Sequence, residues 1–254
     1  MNSQKIEMEV CVDSLQSALN AFKGGASRIE LCSSLNDGGL TPSLGFYLQV
    51  KSELTIPIFI MIRPRPGYDF VYSPGDIQIM KNDIKQFKEN GAEGFVFGAL
   101  TKDRSIDVEA CKILMEIANP LPVTFHRAFD LVADPFKSLD AIIDLGFSRV
   151  LSSGQKPSTE KGVDLIKKLV KHADNRLIIM PGGGINISNL TMILQETGVK
   201  EFHASASKQV EFFEKSSYVI SVFGAAASSI KITDVELVKD LVSEYEKCMK
   251  KHVL

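Results

Sequence analysis

Two short phrases near the start of the sequence carry the same chemical groups. Glu9-Val10-Cys11 and Glu30-Leu31-Cys32 each place a carboxylate two residues before a thiol. Because alternate side chains of a β-strand lie on one face, each phrase presents an acid and a thiol side by side. Thiolates are soft ligands that suit Cu(I), while buried acids are typical of catalytic pockets and of ion-pair networks. The phrases predict a metal site or a small-ligand site.

More polar side chains are expected to share that face. Arg63 and His126 each follow an apolar run, and His203 stands between Phe202 and Ala204. In a barrel strand the large aliphatic residues face the helices and the alternate set faces the interior. This alternation predicts an inward set of Glu9, Cys11, Asp13, Arg28, Glu30, Cys32, Met61, Arg63, Thr124, His126, His203 and Ser205. Charged groups in a dry interior need partners, so we expect a mutual network or a ligand.

Each of these residues also has a purely structural interpretation. A buried thiol is commonly a small apolar side chain, and this is what we expect of Cys111 and Cys248 on predicted helices. Glu9, Glu30 and Arg63 can form a salt-bridge network inside the barrel. His203 can be a hydrogen-bonded core histidine.

A glycine-rich loop offers an anion site. Gly182, Gly183 and Gly184 follow the seventh predicted strand and precede a helix that begins near Ser188. Glycines there let backbone N–H groups turn toward an anion, and barrel enzymes often bind phosphate between the seventh and eighth units. Ser205 and the residues after it would complete a pocket for phosphate or carboxylate. The same loop can instead be only a tight turn.

The elements that must position these groups alternate in a regular way. Short apolar runs alternate with amphipathic stretches about eight times, which is typical of βα units around a parallel sheet. Strands are predicted near 8–12, 28–32, 58–63, 94–99, 123–126, 149–152, 177–181 and 201–204. Eight units favour a closed α/β (β/α)8 TIM barrel, since closure removes the sheet edges, over an open doubly wound sheet.

The boundaries of the helices and of the domain follow from local signals. Ser14 can cap a first helix, and Thr41-Pro42, Ser73-Pro74 and Asp134-Pro135 each predict a proline in a first helical turn. Barrels of ~250 residues are commonly one domain, so residues 1–254 are expected to form one, with a C-terminal helix near 235–250. The long segment 208–231 is interpreted as a loop over the mouth or an oligomer contact.

Composition restricts the partners. The 254 residues include 29 basic and 31 acidic ones in scattered positions, which gives a net charge of -2 and argues against nucleic acid. No stretch reaches the ~20 apolar residues that span a bilayer. Four cysteines without a secretion signal favour reduced thiols in a cytosolic protein. A small polar partner is expected.

Seven phrases of the sequence resemble those of the CutC family of copper homeostasis proteins. They run from about Met8 to Ser205 and read MEVCVDS, RIELCSSLNDGGLTPS, IPIFIMIRPR, FVFGALT, LPVTFHRAFD, RVLSSG and MPGGGI. The resemblance implies a (β/α)8 barrel, a cytoplasmic or, in eukaryotes, also nuclear setting, homo-oligomerisation and a role in intracellular copper handling. It also implies Cu(I) binding through the two cysteines that match, Cys11 and Cys32. Adjacent strands lie ~4.8 Å apart, which permits a bridging copper ion or a disulfide.

Copper alone does not explain the acids and the guanidinium groups. Carboxylates and arginine are poor partners for Cu(I). The alternative hypothesis is therefore a lyase- or isomerase-like barrel enzyme that acts on a small phosphorylated or carboxylated metabolite. Glu9 or Glu30 would be its base, His126 its acid or electrophile, and Arg63 with the glycine loop its anion holder.

Overall fold

The computed structural model describes residues 7–211 and 229–251, in which parallel strands alternate with helices. The strands are β1 Glu7–Val12, β2 Arg28–Leu31, β3 Ile58–Met61, β4 Gly94–Phe97, β5 Val123–Phe125, β6 Arg149–Ser152, β7 Ile178–Pro181 and β8 Glu201–Ala204. The helices are α1 Leu15–Gly24, α2 Leu44–Glu53, α3 Pro74–Glu89, α4 Val108–Ala118, α5 Pro135–Asp144, α6 Thr159–Ala173, α7 Leu190–Thr197 and α8 Val235–Lys251. Two short 3-10 helices span Leu35–Asp37 and Arg127–Leu131.

The sheet closes on itself. Its strand order is β7-β6-β5-β4-β3-β2-β1-β8, and a parallel bridge between Gly182 and His203 joins the two ends. The chain is therefore a (β/α)8 TIM barrel, as the eight repeated units predict, and the open doubly wound sheet is wrong. Within the described residues, no helix has the length and apolar character needed to cross a membrane.

Strand alternation separates an outer core from a small inner one. Val10, Ile29 and Ile60 belong to the large apolar cluster that also contains helix residues. Phe59 and Met61 instead form a small cluster with Cys32 and Val96. The predicted alternation is thus confirmed for β3, where Ile58 and Ile60 face the outer core and Met61, together with Phe59, faces the interior.

Four predicted strands, β2 to β5, end earlier than expected. Cys32, Arg63 and His126 lie one or two residues beyond the ends of β2, β3 and β5. At these points the chain turns away from the sheet to begin the loops of the barrel mouth. The three side chains consequently lie at the carboxyl ends of the strands, where barrels of this class place functional groups.

Most helix signals are confirmed, and one is wrong. Ser14 caps α1, and Ser73 and Asp134 cap α3 and α5, each followed by a proline in the first turn. Thr41-Pro42, however, precedes α2, which Ser43 caps. The reason is that Thr41 pairs with Arg63, two residues after β3. The Thr41 N–H donates to the Arg63 carbonyl at 3.0 Å, which holds this segment extended.

The segment 208–231 is described only at its ends. β9 (Ser207–Glu211) pairs antiparallel with β10 (Ser229–Thr233), and residues 212–228 lie outside the described part of the chain. The base of this ribbon is tied to the barrel, because the Thr233 N–H donates to Ser17 Oγ at 3.1 Å and the Asp234 N–H to the Ala206 carbonyl at 2.8 Å. The ribbon therefore begins beside the mouth, next to α1.

Candidate metal centre at the barrel mouth

The register of three strands decides which polar groups meet. β1 and β2 pair Cys11 with Glu30, and β1 and β8 pair Glu9 with His203. The two Glu-x-Cys phrases are therefore two residues out of register, so their thiols do not lie opposite each other. Cys11 instead meets the carboxylate of the other phrase.

Cys11, Glu30 and His203 form a compact group of potential metal ligands. One ligand atom from each, a sulfur, an oxygen and a ring nitrogen, lies within 4.8 Å of the other two. His203 Nε2 is 3.8 Å from Glu30 Oε2. Cys32 is outside this trio, but its Sγ donates to the same Glu30 Oε2 at 3.6 Å. The Glu30 carboxylate thus belongs to the trio and also contacts the second thiol, Cys32.

Glu9 orients the imidazole of His203. Glu9 Oε1 lies 2.8 Å from His203 Nδ1. Burial alone would raise the pKa of Glu9, but Arg28 and His203 outweigh it and lower the pKa to about 2. The ionised carboxylate can only accept, so Nδ1 carries the proton and Nε2 faces Glu30. Burial works against the charged ring, yet Cys11 and Glu30 hold the pKa of His203 well above its usual value.

The carboxylate of Glu30 has only one of its two oxygens in a hydrogen bond. Its Oε1 is buried without a hydrogen-bond partner. Burial, aided by the charge of Glu9 and opposed by His203, raises the pKa of Glu30 to about 7. Burial and the neighbouring Glu30 also raise the pKa of the Cys32 thiol well above its usual value. A cation placed between these groups would relieve the buried oxygen.

A buried ion-pair network lies beneath the trio. Arg28 donates to Glu9 Oε2 at 2.5 Å and to Glu201 Oε2 at 2.9 Å, and Arg149 donates to Glu201 at 3.1 Å. Glu9 thus connects this structural network to His203 of the trio. Glu201 and Arg149 were absent from the sequence-based set, although the alternation that placed His203 inward also places Glu201 inward.

The trio opens into a cavity of about 450 Å³ at the mouth. Cys11, Glu30 and His203 line it together with His126. The remaining lining is largely apolar: Leu35, Gly38, Met61, Tyr68, Phe70, Leu131 and Leu151, with Arg127 and Asp130. A few convergent polar groups in an apolar cavity are typical of a small-ligand site.

His126 faces this cavity in its neutral form. Burial, reinforced by the charge of Arg63, lowers the pKa of His126 to about 3. Its Nδ1 accepts from the Ala128 N–H at 3.4 Å, while Nε2 is buried without a partner. The ring packs edge-on against Phe70, with centroids 4.8 Å apart. His126 therefore has one ring nitrogen free for a ligand, and its proposed role as an acid or electrophile stays a prediction.

The guanidinium of Arg63 binds backbone carbonyls, and Arg63 is not among the residues that line the mouth cavity. Its guanidinium donates to the carbonyls of Asp37 at 2.7 Å, Gly39 at 2.9 Å and Gly67 at 2.5 Å. The side chain is only 1% exposed. Arg63 thus ties the loops after β2 and β3 together. Its position after an apolar run does not distinguish this role from anion binding.

We expect Arg63→Met to lower the free energy of unfolding by about 2 kcal/mol, because hydrogen bonds from a charged donor contribute more than neutral ones. Urea unfolding measures the change. The exposed Arg104 is the matched control, and Arg104→Met should change the free energy by less than about 0.5 kcal/mol. Equal stabilities of the two variants would contradict the loop-tying role of Arg63.

The cavity that Ser205 lines does not include the glycine loop. Gly183 and Gly184 have φ angles of 116° and 76°, which favour glycine, and a Cβ on Gly183 would lie 3.4 Å from Arg127 Nη1. Gly182 donates its N–H to the Ser152 carbonyl. Ser205 instead lines a second cavity of about 350 Å³, beside α1 and β10. Anion binding by this set of residues stays a prediction.

Asp130 was not identified from the sequence, although it ends the HRAFD phrase. It accepts hydrogen bonds from Ser152 Oγ at 2.6 Å and from the Ser153 and Gln155 N–H groups at 3.0 and 3.2 Å. It also pairs with Arg127 at 2.8 Å. Asp130 thereby fixes the loop after β6 at the rim of the cavity.

Comparisons with known proteins agree on one family. The model of the CutC family matches residues 6–208. A copper homeostasis protein cutC homolog of Homo sapiens is 52% identical over 238 residues, covering 92% of this chain and 87% of the human protein. A CutC family protein of Treponema denticola is 49% identical over 208 residues, covering 82% and 84%. A crystal structure of a CutC copper homeostasis protein from Streptococcus agalactiae has a TM-score of 0.74 and 39% identity, and covers 79% of this chain and 98% of that one.

Proposed function

We propose that this chain, which belongs to the CutC family, acts in copper homeostasis by binding Cu(I) at the barrel mouth through Cys11 and Cys32. The observation that carries the proposal is the compact group of Cys11, Glu30 and His203, which opens into the cavity with Cys32 beside Glu30. Relatives that match over most of the chain are named for copper homeostasis.

The chemistry of the two thiols supports this function. Cys11 and Cys32 are both free, and soft thiolates are preferred ligands of Cu(I). Cys11 is partly exposed and lines the cavity, whereas Cys32 is fully buried. An incoming ion therefore meets Cys11 first, and Cys32 joins when its bond to Glu30 is exchanged for one to the metal.

The test is an anaerobic titration of the reduced protein with Cu(I) in competition with a strong chelator. We expect one tightly bound ion per chain. Loss of a direct ligand should cost more than the ten- to hundredfold typical of outer groups, so Cys11→Ser should weaken binding by at least about a hundredfold. Cys32→Ser should also weaken it.

A third thiol supplies the control. Cys111 is buried in α4 within the outer apolar cluster, so Cys111→Ala should retain full Cu(I) affinity. Unchanged stoichiometry and affinity in the Cys11→Ser, Cys32→Ser double variant, with the fold intact by circular dichroism, would refute Cu(I) binding at this site.

A further inference from the structure

One ligand of the trio, the Glu30 carboxylate, is not explained by Cu(I). Carboxylates are hard ligands. The imidazole of His203, by contrast, suits Zn(II), Fe and Ni as well as Cu. A sulfur, a nitrogen and an oxygen gathered at one point form a mixed donor set. Such sets are typical of ions that accept all three, and Zn(II) binds thiolate, imidazole and carboxylate alike.

We propose that Cys11, Glu30 and His203 form a binding site for a divalent ion of the zinc class, with a fourth coordination position open to the cavity. This inference uses the same cavity as the Cu(I) proposal but depends on Glu30 and His203 instead of Cys32. The two proposals can therefore fail separately.

The distances suit such an ion after small side-chain movements. Bonds of about 2.0–2.3 Å to a tetrahedral ion hold ligand atoms about 3.3–3.8 Å apart. His203 Nε2 and Glu30 Oε2 are already 3.8 Å apart, and the whole trio lies within 4.8 Å. The ligands come from β1, the end of β2 and β8, which are adjacent strands of one rigid sheet. The trio is thus nearly preorganised.

Glu9 acts as a positioning residue for this site. Histidines that bind metals usually donate their other N–H to a carboxylate, which fixes the ring and its tautomer. Glu9 Oε1 accepts from His203 Nδ1 at 2.8 Å, and Arg28 holds the other Glu9 oxygen at 2.5 Å. His203 Nε2 is consequently presented to Glu30 and Cys11.

The unpartnered oxygen of Glu30 also points to a ligand. Its side chain is 4% exposed, and Oε1 lacks a hydrogen bond. A buried carboxylate oxygen without a partner is costly, and coordination to a cation removes that cost.

The fourth position gives the ion access to a small molecule. Three protein ligands and one open position are the arrangement of catalytic zinc sites, while structural zinc sites have four protein ligands. The open side of the trio faces the cavity of about 450 Å³. A small anion or carbonyl compound would be the class of molecule that binds there.

The experiment uses Co(II) as a spectroscopic probe on the reduced, full-length protein. We expect one Co(II) per chain, a near-ultraviolet thiolate-to-cobalt charge-transfer band, strong visible bands of tetrahedral Co(II), and displacement by Zn(II). His203→Ala and Glu30→Gln should each weaken Co(II) binding by at least about a hundredfold, and Glu9→Gln by about ten- to a hundredfold. Added azide should shift the visible bands if a position is open.

His172 provides the matched control. It lies on α6, partly exposed and paired with Asp140, so His172→Ala should bind Co(II) as the unmodified chain does. His203→Gln replaces His203→Ala if the alanine variant fails to fold. Cu(I) affinity should persist in the His203 variants. The proposal would be overturned by the weak visible spectrum of octahedral Co(II), by unchanged Co(II) affinity in the His203 variants, or by no response to azide. Each of these outcomes holds whatever the Cu(I) titration shows.

Discussion

Replacing Glu201 by leucine will lower the free energy of unfolding by about 3–5 kcal/mol, the cost of leaving a buried charge without its partner. Arg149 and Glu201 are 8% and 4% exposed. The substitution removes the carboxylate that pairs with Arg149 at 3.1 Å, while Arg28 keeps its bond to Glu9. Urea unfolding of both proteins measures the loss.

A double variant distinguishes the cost of an unpaired buried charge from the cost of lost packing. Replacing a buried ion pair by apolar residues of similar volume is often neutral. Glu201→Leu combined with Arg149→Met should therefore recover most of the stability that Glu201→Leu alone loses. Additive losses in the double variant would mean that the network stabilises through packing and not through charge.

The same residue gives a pH dependence with a defined sign. Burial alone would raise the pKa of Glu201, but the charges of Arg149 and Arg28 outweigh burial. The pKa therefore lies below its ordinary value of 4.5. A carboxyl with a lowered pKa contributes stability above the unfolded value and loses it as the pH falls. The stability difference between the unmodified protein and Glu201→Leu should accordingly shrink below about pH 4.5.

Replacing Gly162 by alanine will destabilise the fold by about 3 kcal/mol or more, at the upper end of overpacking effects. A Cβ on Gly162 would lie 1.9 Å from the Ser153 carbonyl oxygen, and one on Gly154 would lie 2.2 Å from the Gly162 oxygen. The first turns of α6 and the loop after β6 thus touch through their backbones. Thermal unfolding, followed by circular dichroism, measures the loss.

Gly45 is the matched control, because it lies in the first turn of α2 and a Cβ there would meet nothing within 4 Å. Gly45→Ala should be neutral or stabilising by up to about 1 kcal/mol. A Gly162→Ala variant as stable as Gly45→Ala would show that α6 can move away from the loop at little cost. The expected clash would then be absent.

The fold was predictable because its signals are local. Ser73-Pro74 and Asp134-Pro135 start helices through capping bonds within a few residues. Runs such as Ile58–Met61 are buried strands, and repetition of the unit implies closure. The failure at Thr41-Pro42 has a non-local cause, since the bond from Thr41 to Arg63 joins segments that are distant in sequence.

Within the site, the sequence indicated which side chains point inward but not which of them meet. Period-two alternation alone places Glu9, Cys11, Glu30 and His203 inside. The residue that lies opposite Cys11 depends on the register of β1 against β2. That register differs by two residues from the one that would place Cys11 opposite Cys32. The Arg63 guanidinium also donates hydrogen bonds to three backbone carbonyls, because two loops fold over it.

The sequence by itself thus determined the barrel, the strand faces and the inward position of Glu9, Cys11, Glu30 and His203, because these depend on periodicity and on local capping. Only the tertiary structure decided that Cys11 meets Glu30 and His203 and that Glu9 orients the imidazole. Those contacts depend on strand register and on the closure of β1 against β8. Both are set by packing between segments as distant as Glu9 and His203, which no local pattern encodes.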